Sequence, residues 1–414
     1  MKKGAPVVNP SLDDFEKARE VISQIAIESP IIRNSFLSDL TGQEVYLKCE
    51  NMQRTGAYKV RGALNRLSKL TEAERERGVV AASAGNHAQG VALAAKRLGI
   101  KATIFMPIGA SIPKHEATLN YGADVVLTGN IFDETLAAAL RFTKESKAVF
   151  IPPFDDIDII TGQGTVAMEI AEQYPEFENV IACVGGGGLI AGVASATKQI
   201  ASKQGRTINV YGVQAEMAAA YPESLKQGKP VEVKVRPTIA DGIAVAKPGE
   251  IPFGIIQENV DEIVTVTEDE IAQAMVMLLE RAKQVVEPGG VVGVAALMAG
   301  KIKPTGPTVV TLSGGNIDPL LLQRVIRHGL AASDRYTNVS VMLPDRPGQL
   351  VRTAEAVADA GANVVEVLHT RHGNGLQISE VELNLSVETR NREHRDHLIE
   401  SLEKAGLNPS LHED

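Results

Sequence analysis

The chain holds 414 residues and weighs 44.1 kDa, 44% of it hydrophobic and 22% charged, which suits one large or two to three ordinary cores and excludes wholesale disorder. With 42 Lys+Arg against 51 Asp+Glu the net charge is -9, and aromatics are only 4% with no Trp, so neither phosphate neutralisation nor base stacking fits and no nucleic-acid partner is expected. No apolar stretch reaches the roughly 18 residues of a spanning helix, the first residues lack the apolar core of a signal peptide, and Cys49 and Cys183 read as buried reduced thiols of a cytoplasmic protein with no membrane partner.

From about Asp13 to Val310 short β-branched runs alternate with helical stretches. In chain order the pattern predicts a strand over 79–83, a helix over 88–98, a strand over 102–106, a helix over 112–121 and a strand over 124–127. Further strands are predicted over 180–184, 209–213 and 308–312, each ending in Gly or polar residues. Strands of this kind, buried on both faces and separated by helices, make a parallel α/β sheet. Ligands of such sheets bind beyond the carboxyl ends of the strands.

After about Ser333 the pattern changes. Val339, Val341 and Leu343 alternate, Pro344-Asp-Arg-Pro-Gly348 makes a turn, and 349–360 has a helical apolar face. Strands over 363–371 and 378–387 and a helix over 391–405 follow, with a last strand at 409–412. This is the order of a ferredoxin-like split βαβ unit.

Four strand-end segments carry candidate chemistry. Glu50 to Ala63 places Lys59 at a helix start, beside Tyr58, where the macrodipole disfavours an ammonium. Such a lysine is either an exposed charge or an amine that bonds a carbonyl cofactor. Ser83-Ala-Gly-Asn-His87 follows the strand 79–82, and its small residues at a helix start form an anion nest, or simply a helix cap with a surface histidine. Gly185-Gly-Gly-Gly-Leu189 lies between a strand and an Ala-rich helix and lets backbone amides approach an anion. Gly186, Gly188 and Ala191 also fit the loose dinucleotide fingerprint, with Glu216 as its acidic residue, which keeps a nicotinamide oxidoreductase open. The fourth segment is Ser313-Gly-Gly-Asn316, after the strand 308–312.

Together these segments, with Glu287-Pro-Gly-Gly290 and Ala240-Asp-Gly-Ile243, resemble the pyridoxal-phosphate enzymes of the second fold type, in particular the threonine/serine dehydratase branch, from about Asp13 to Leu330. The tail resembles the ACT regulatory domain appended to threonine dehydratases. The fold the resemblance implies is α/β, a two-lobed parallel-sheet architecture like the tryptophan synthase β chain, with a ferredoxin-like α+β domain behind it. Its expected divisions are a catalytic domain 1–330, with a small lobe about 55–154 inserted in the large one, a linker 331–335 and a regulatory domain 336–414.

The resemblance implies that Lys59 holds pyridoxal 5'-phosphate and, once displaced by substrate, acts as the base at Cα. Tyr58 stands beside the ring where the family usually has Phe. Asn86 would bond the ring oxygen, and Ser83, Gly85, Asn86 and His87 would cradle the substrate carboxylate. Gly185, Gly186, Gly187, Gly188 and Leu189 would cradle the phosphate, Gly242 would line the ring, and Ser313 would meet the pyridine nitrogen. A hydroxyl there leaves the nitrogen largely unprotonated, which favours prompt loss of a β-hydroxyl. The implied activity is deamination of L-threonine to 2-oxobutanoate and ammonia, and of L-serine to pyruvate, as the first step of isoleucine synthesis or in threonine catabolism.

Serine racemisation is the alternative within the fold, but similar racemases have a serine where Ala84 stands, and their metal carboxylates fall on Gln214 and Ala220, so no metal site is expected. A non-catalytic amino-acid-binding regulator is the alternative outside it. The resemblance further implies an effector, isoleucine or valine, at Asp345, Arg346 and Gly348 with help from Asn363, and a homo-oligomer, dimer or tetramer. His369/His372 and His394/His397 are each three apart, a spacing that on a helix can share a metal or simply line a solvated face.

Overall fold

The computed structural model describes residues 9–371 and 376–412. It divides into two compact units, Met1–Pro319 and Leu320–Asp414. The two units meet between Pro319 and Leu320, at the first residue of the helix Pro319–Ala332.

The described strands of the first unit are β1 (Ile31–Arg33), β2 (Val45–Lys48), β3 (Val79–Ala82), β4 (Ala102–Met106), β5 (Asp124–Leu127), β6 (Val149–Phe150), β7 (Asn179–Cys183), β8 (Asn209–Ala215), β9 (Glu262–Val266) and β10 (Thr308–Thr311). They form two sheets, ordered β1-β2-β10-β7-β8-β9 and β5-β4-β3-β6. All pairs are parallel except β1 with β2. The apolar runs β3, β4, β7 and β10 are buried at every position, as strands covered by helices on both faces must be. β5, expected to be equally buried, is largely exposed because it is a sheet edge. β1 carries no parallel-strand signal; it is a three-residue antiparallel edge, too short to show a pattern. Among the described residues no helix is long and apolar enough to cross a membrane.

The second unit holds β11 (Tyr336–Pro344), β12 (Asn363–Thr370), β13 (Glu380–Glu388) and β14 (Pro409–His412) in one antiparallel sheet, ordered β12-β13-β11-β14. Val341, Leu383 and Leu385 of one face share a core with Val357, Leu398 and Leu402 of the helices Gln349–Asp359 and Arg392–Lys404. This is the ferredoxin-like arrangement read from the alternation.

What positions the site in the first unit is the seat of the helix Lys59–Ser68. It meets the helix Ile157–Gln173 backbone to backbone: a Cβ on Gly162 would lie 2.6 Å from Gly62 Cα, so only glycine fits there. Next to Gly62, fully buried Arg61 donates to both oxygens of Glu50 at 2.8 Å and to both oxygens of Glu169 at 2.6 and 2.8 Å. Lys48, also fully buried, donates to Glu169 Oε2 and Ser29 O at 2.6 Å and to Gln173 Oε1 at 2.9 Å. Burial works against the guanidinium of Arg61, but Glu50 and Glu169 outweigh it and hold its pKa well above the ordinary value. Burial depresses Lys48 in spite of Glu169, and Arg61 keeps Glu50 ionised against burial. Two cations and two anions thus neutralise one another inside the fold.

Glu169→Gln leaves two buried cations facing one anion, and the expected loss is about 3–5 kcal/mol of stability. Urea unfolding of parent and variant measures it, and a loss under about 1 kcal/mol contradicts the network's role.

Candidate active site

Three strand ends of the first unit open onto one cleft. β10 leads into Ser313–Asn316, and this loop is sewn to the segment before Lys59. Tyr58 N–H donates to Ser313 O at 3.2 Å, Gly315 N–H to Gly56 O at 2.8 Å, and Ala57 bridges to Gly314. Lys59, the first residue of its helix, thereby stands beside buried Ser313. Its Nζ donates to Pro153 O at 2.9 Å and lies 5.3 Å from the Tyr58 ring. Burial lowers its pKa to about 8 although Cys183 and Glu287 pull the other way, so near neutrality the amine has a far larger uncharged, nucleophilic fraction than an ordinary lysine.

β7 leads into the glycine loop. A Cβ on Gly186 would lie 2.4 Å from the Phe154 ring, and one on Gly187 would lie 2.0 Å from the Tyr221 hydroxyl, at a φ of +101° besides. Gly188 begins the helix Gly188–Lys203, whose first turn, with buried Leu189, points its N–H groups into the loop. The loop admits nothing larger than glycine at 186 and 187 because Phe154 and Tyr221 already wall it, which leaves its backbone N–H groups as the donors it can present to an anion. Gly185 packs on Ile243, and Gly242 lies across from the carboxyl of Glu287, 3.9 Å from where its Cβ would be.

β3 leads into Ser83 and the helix Asn86–Leu98, capped by Gly85. Ser83 Oγ accepts from Gly85 N–H at 3.2 Å. Asn86 donates to Glu287 Oε1 at 2.6 Å and accepts from Asn316 Nδ2 at 2.8 Å, so both ends of its amide are fixed. The His87 ring turns away from this nest and pairs with Ile151 O at 2.9 Å; burial lowers its pKa to about 3 and keeps it neutral. What His87 can offer an anion is its main-chain N–H. Ser313 Oγ accepts from Cys183 Sγ at 3.4 Å, and burial pushes that thiol up to about 11, so it stays a protonated donor. The Ser313 hydroxyl would then have its own O–H to offer as a hydrogen-bond donor to a ring nitrogen. Amine, phosphate cradle, amide and hydroxyl fit pyridoxal phosphate.

The motif reading passed over the individual roles of Glu287, Cys183, Phe154 and Pro153. Glu287 had a signal, since it opens Glu287-Pro-Gly-Gly290, whereas Pro153 and Phe154 follow the two-residue β6 and had none. Gln214 accepts from Tyr221 N–H at 2.9 Å.

In the second unit the expected regulatory residues do not converge within one chain. Asp345, Arg346 and Gly348 follow the end of β11, with Gly348 at φ +93° capping the helix Gln349–Asp359. Asn363 opens β12 and pairs with Glu388, which pairs with Tyr336 at the start of β11. It therefore lies at the opposite end of the sheet. His394 is buried with Nε2 2.8 Å from Ala360 O, and His397 on the same helix is exposed, so these two do not share a metal; His369 is exposed on β12 and His372 lies outside the described residues.

The description "pyridoxal-phosphate dependent enzyme" matches residues 22–314, and the ACT domain matches residues 337–407. The L-threonine ammonia-lyase of Thermotoga maritima is 45% identical over 395 residues, 95% of this chain and 96% of that one. The processed threonine deaminase isoform 2 of Solanum lycopersicum superposes with a TM-score of 0.71 at 38% identity, over 79% of this chain and 99% of that one. Maize serine racemase superposes at 0.73 with 32% identity, over 78% and 99%.

Burial pushes Glu287 up to about 7, helped by Asp241 and opposed by Lys114, Asn86 and Lys59. A carboxyl raised on folding stabilises the fold while protonated; the contribution is complete below its unfolded pKa of about 4.3 and is lost as pH rises through about 7. Glu287→Gln cannot ionise, so the stability of the parent relative to this variant falls between pH 4.5 and pH 7.5. Thermal melts at both pH values measure it, and a pH-independent difference contradicts the burial argument.

Proposed function

The chain belongs to the pyridoxal-phosphate-dependent enzymes and carries an ACT domain, and from that premise we infer that it catalyses the ammonia-lyase reaction on L-threonine, giving 2-oxobutanoate and ammonia. The observation that carries the reading is the convergence on one cleft of a desolvated lysine amine with two helix N-termini and a neutral hydroxyl. The near-full-length likeness to a threonine ammonia-lyase supports the substrate. When bound, pyridoxal phosphate supplies an electron-withdrawing ring that stabilises negative charge at the substrate's Cα.

The residues divide the remaining work. The first turn of Gly188–Lys203 holds the phosphate, and the N–H groups after Gly85 hold the substrate carboxylate. Asn86, with its amide fixed by Glu287 and Asn316, presents a hydrogen bond to the ring oxygen. Lys59 removes the Cα proton. Ser313, unlike a carboxylate, does not enforce protonation of the ring nitrogen, so charge at Cα is short-lived and the β-hydroxyl departs. Ala84 has no proton to return to the opposite face of Cα, which sets elimination above racemisation. L-serine, one methyl smaller, follows the same course to pyruvate.

The ACT domain gives this enzyme an amino-acid effector, with isoleucine or valine the natural candidates because 2-oxobutanoate leads toward isoleucine. The loop Asp345–Gly348 and the helix it opens are the place for a carboxylate, with Asn363 contributed by a second copy, because the two lie at opposite ends of one sheet. A homo-oligomer, dimer or tetramer, is the assembly this implies, and the buried reduced cysteines suit a cytoplasmic site.

Lys59→Ala removes both the cofactor's covalent partner and the base. The expected outcome is loss of the visible absorbance of the bound cofactor and a fall in threonine turnover of at least about 10³-fold. Retained absorbance with retained turnover in the pure variant contradicts the assignment.

A further inference from the structure

Four consecutive glycines, Gly185 to Gly188, make up the loop read above as the phosphate seat, and no residue type has more backbone freedom to lose on folding. A seat built this way needs restraint from outside the loop, and that restraint converges on one atom. Gly186 O accepts from the Tyr221 hydroxyl at 3.1 Å and from Gly249 N–H at 3.1 Å. The carbonyl and the N–H of a trans peptide point in opposite directions. Two donors holding Gly186 O from one side therefore aim the N–H of Gly187 to the other, away from Tyr221 and Gly249. Gly187, at φ +101°, then caps the helix Gly188–Lys203, so its N–H and those of the helix's first turn follow one another along the chain.

Tyr221 is seated to hold this atom. It has no solvent exposure and, after Arg61, is the largest fully buried side chain among the described residues. A buried phenol needs a partner for its proton. Burial, helped by Asp155, pushes its pKa well above the ordinary value, so the hydroxyl remains a donor. Its single proton goes to Gly186 O, which leaves none to offer an anion directly. The ring stacks on Phe253 of the helix Glu250–Asn259, with centroids 6.4 Å apart and planes at 30°. The main chain is fixed as well, because Tyr221 N–H donates at 2.9 Å to Oε1 of fully buried Gln214, near the end of β8. The second donor, Gly249, caps the helix that carries Phe253, and Asp155 accepts from the next two N–H groups, Glu250 at 3.2 Å and Ile251 at 2.9 Å.

We propose that Tyr221 is a positioning residue of the phosphate seat: its hydroxyl, with Gly249 N–H, holds the peptide between Gly186 and Gly187 so that the N–H faces the cofactor's phosphate, and Gln214 holds Tyr221 in register to do so. The inference rests on reading the glycine loop as the seat of pyridoxal phosphate. It makes Tyr221 matter to a ligand that carries the phosphate and not to the same ring without it.

The test uses the full chain, stripped of cofactor and reloaded, without threonine. Dissociation constants are measured for pyridoxal 5'-phosphate and for pyridoxal, which lacks the phosphate, in the parent, in Tyr221→Phe and in Gln214→Met. Phenylalanine keeps the ring and its stacking and removes only the hydroxyl, and melting curves confirm that the variants fold. The expected result in Tyr221→Phe is about tenfold weaker binding of pyridoxal phosphate, the scale of one hydrogen bond, with pyridoxal binding within about twofold of the parent. Gln214→Met shows a smaller loss of the same selectivity, and carries the comparison alone if Tyr221→Phe fails to fold. The phosphorus resonance of the bound cofactor moves in Tyr221→Phe, because the donors around the phosphate change. Parent-like affinity for pyridoxal phosphate overturns the proposal, and so does equal weakening of both ligands, which marks a role in packing alone. A parent that binds pyridoxal phosphate but leaves threonine intact contradicts the lyase reading and leaves this one standing.

Discussion

Arg61 carries its charge with no solvent exposure, and only the carboxylates of Glu50 and Glu169 make that tolerable. Moving an ion of this size out of water costs several kcal/mol even after relaxation, so a guanidinium here must meet its partners in one geometry. Glu50 comes from the segment after β2, Glu169 from the helix Ile157–Gln173, and Lys48 from β2 itself. All three are thereby locked to the helix that begins at Lys59, two residues before Arg61. A buried ion pair is weak evidence of net stability, and its value here is register. The amine arrives at the ends of β7 and β10 because the buried charge two residues further along its helix can be satisfied in only one place, with Gly62 and Gly162 letting the two helices touch.

Around the amine the opposite rule holds. Burial pushes Lys59 and His87 down and Glu287, Cys183 and Tyr58 up, so each of these five groups is driven toward its neutral form. Fixed positive potential comes instead from two helix N-termini, at Asn86 and Gly188. A cleft with a lysine amine brought close to its neutral form and two helix N-termini favours a ligand that brings its own negative charges.

Much of this was legible in the sequence because the parallel strands are buried on both faces. The apolar runs at 102–106 and 124–127 coincide with β4 and β5, those at 79–83 and 308–312 run one residue past β3 and β10, and 180–184 is displaced from β7 by one residue at both ends. Strand-end motifs then had to be near the site, which is why Lys59, Asn86, the glycine loop and Ser313 were all visible. What stayed hidden depends on side-chain direction or on very short elements. His87 has the right position but a ring aimed at Ile151 O, and no spacing rule reports that. β1 and β6 have three and two residues, too few for a period. Asn363 looked close to the Asp345–Gly348 loop along the chain, yet β12 runs parallel to β11 with β13 between them, so the two are a strand length apart.

The most direct measurement is a product balance. Pure holoenzyme is given L-threonine, and 2-oxobutanoate, ammonia and every stereoisomer of threonine are quantified over time. A site in which Lys59 serves one face of Cα and Ala84 offers nothing on the other predicts 2-oxobutanoate and ammonia in equal amounts, matching the threonine consumed, with no epimer accumulating. Epimerised threonine exceeding the oxo acid, or intact threonine in the presence of a fully loaded cofactor, would contradict the account.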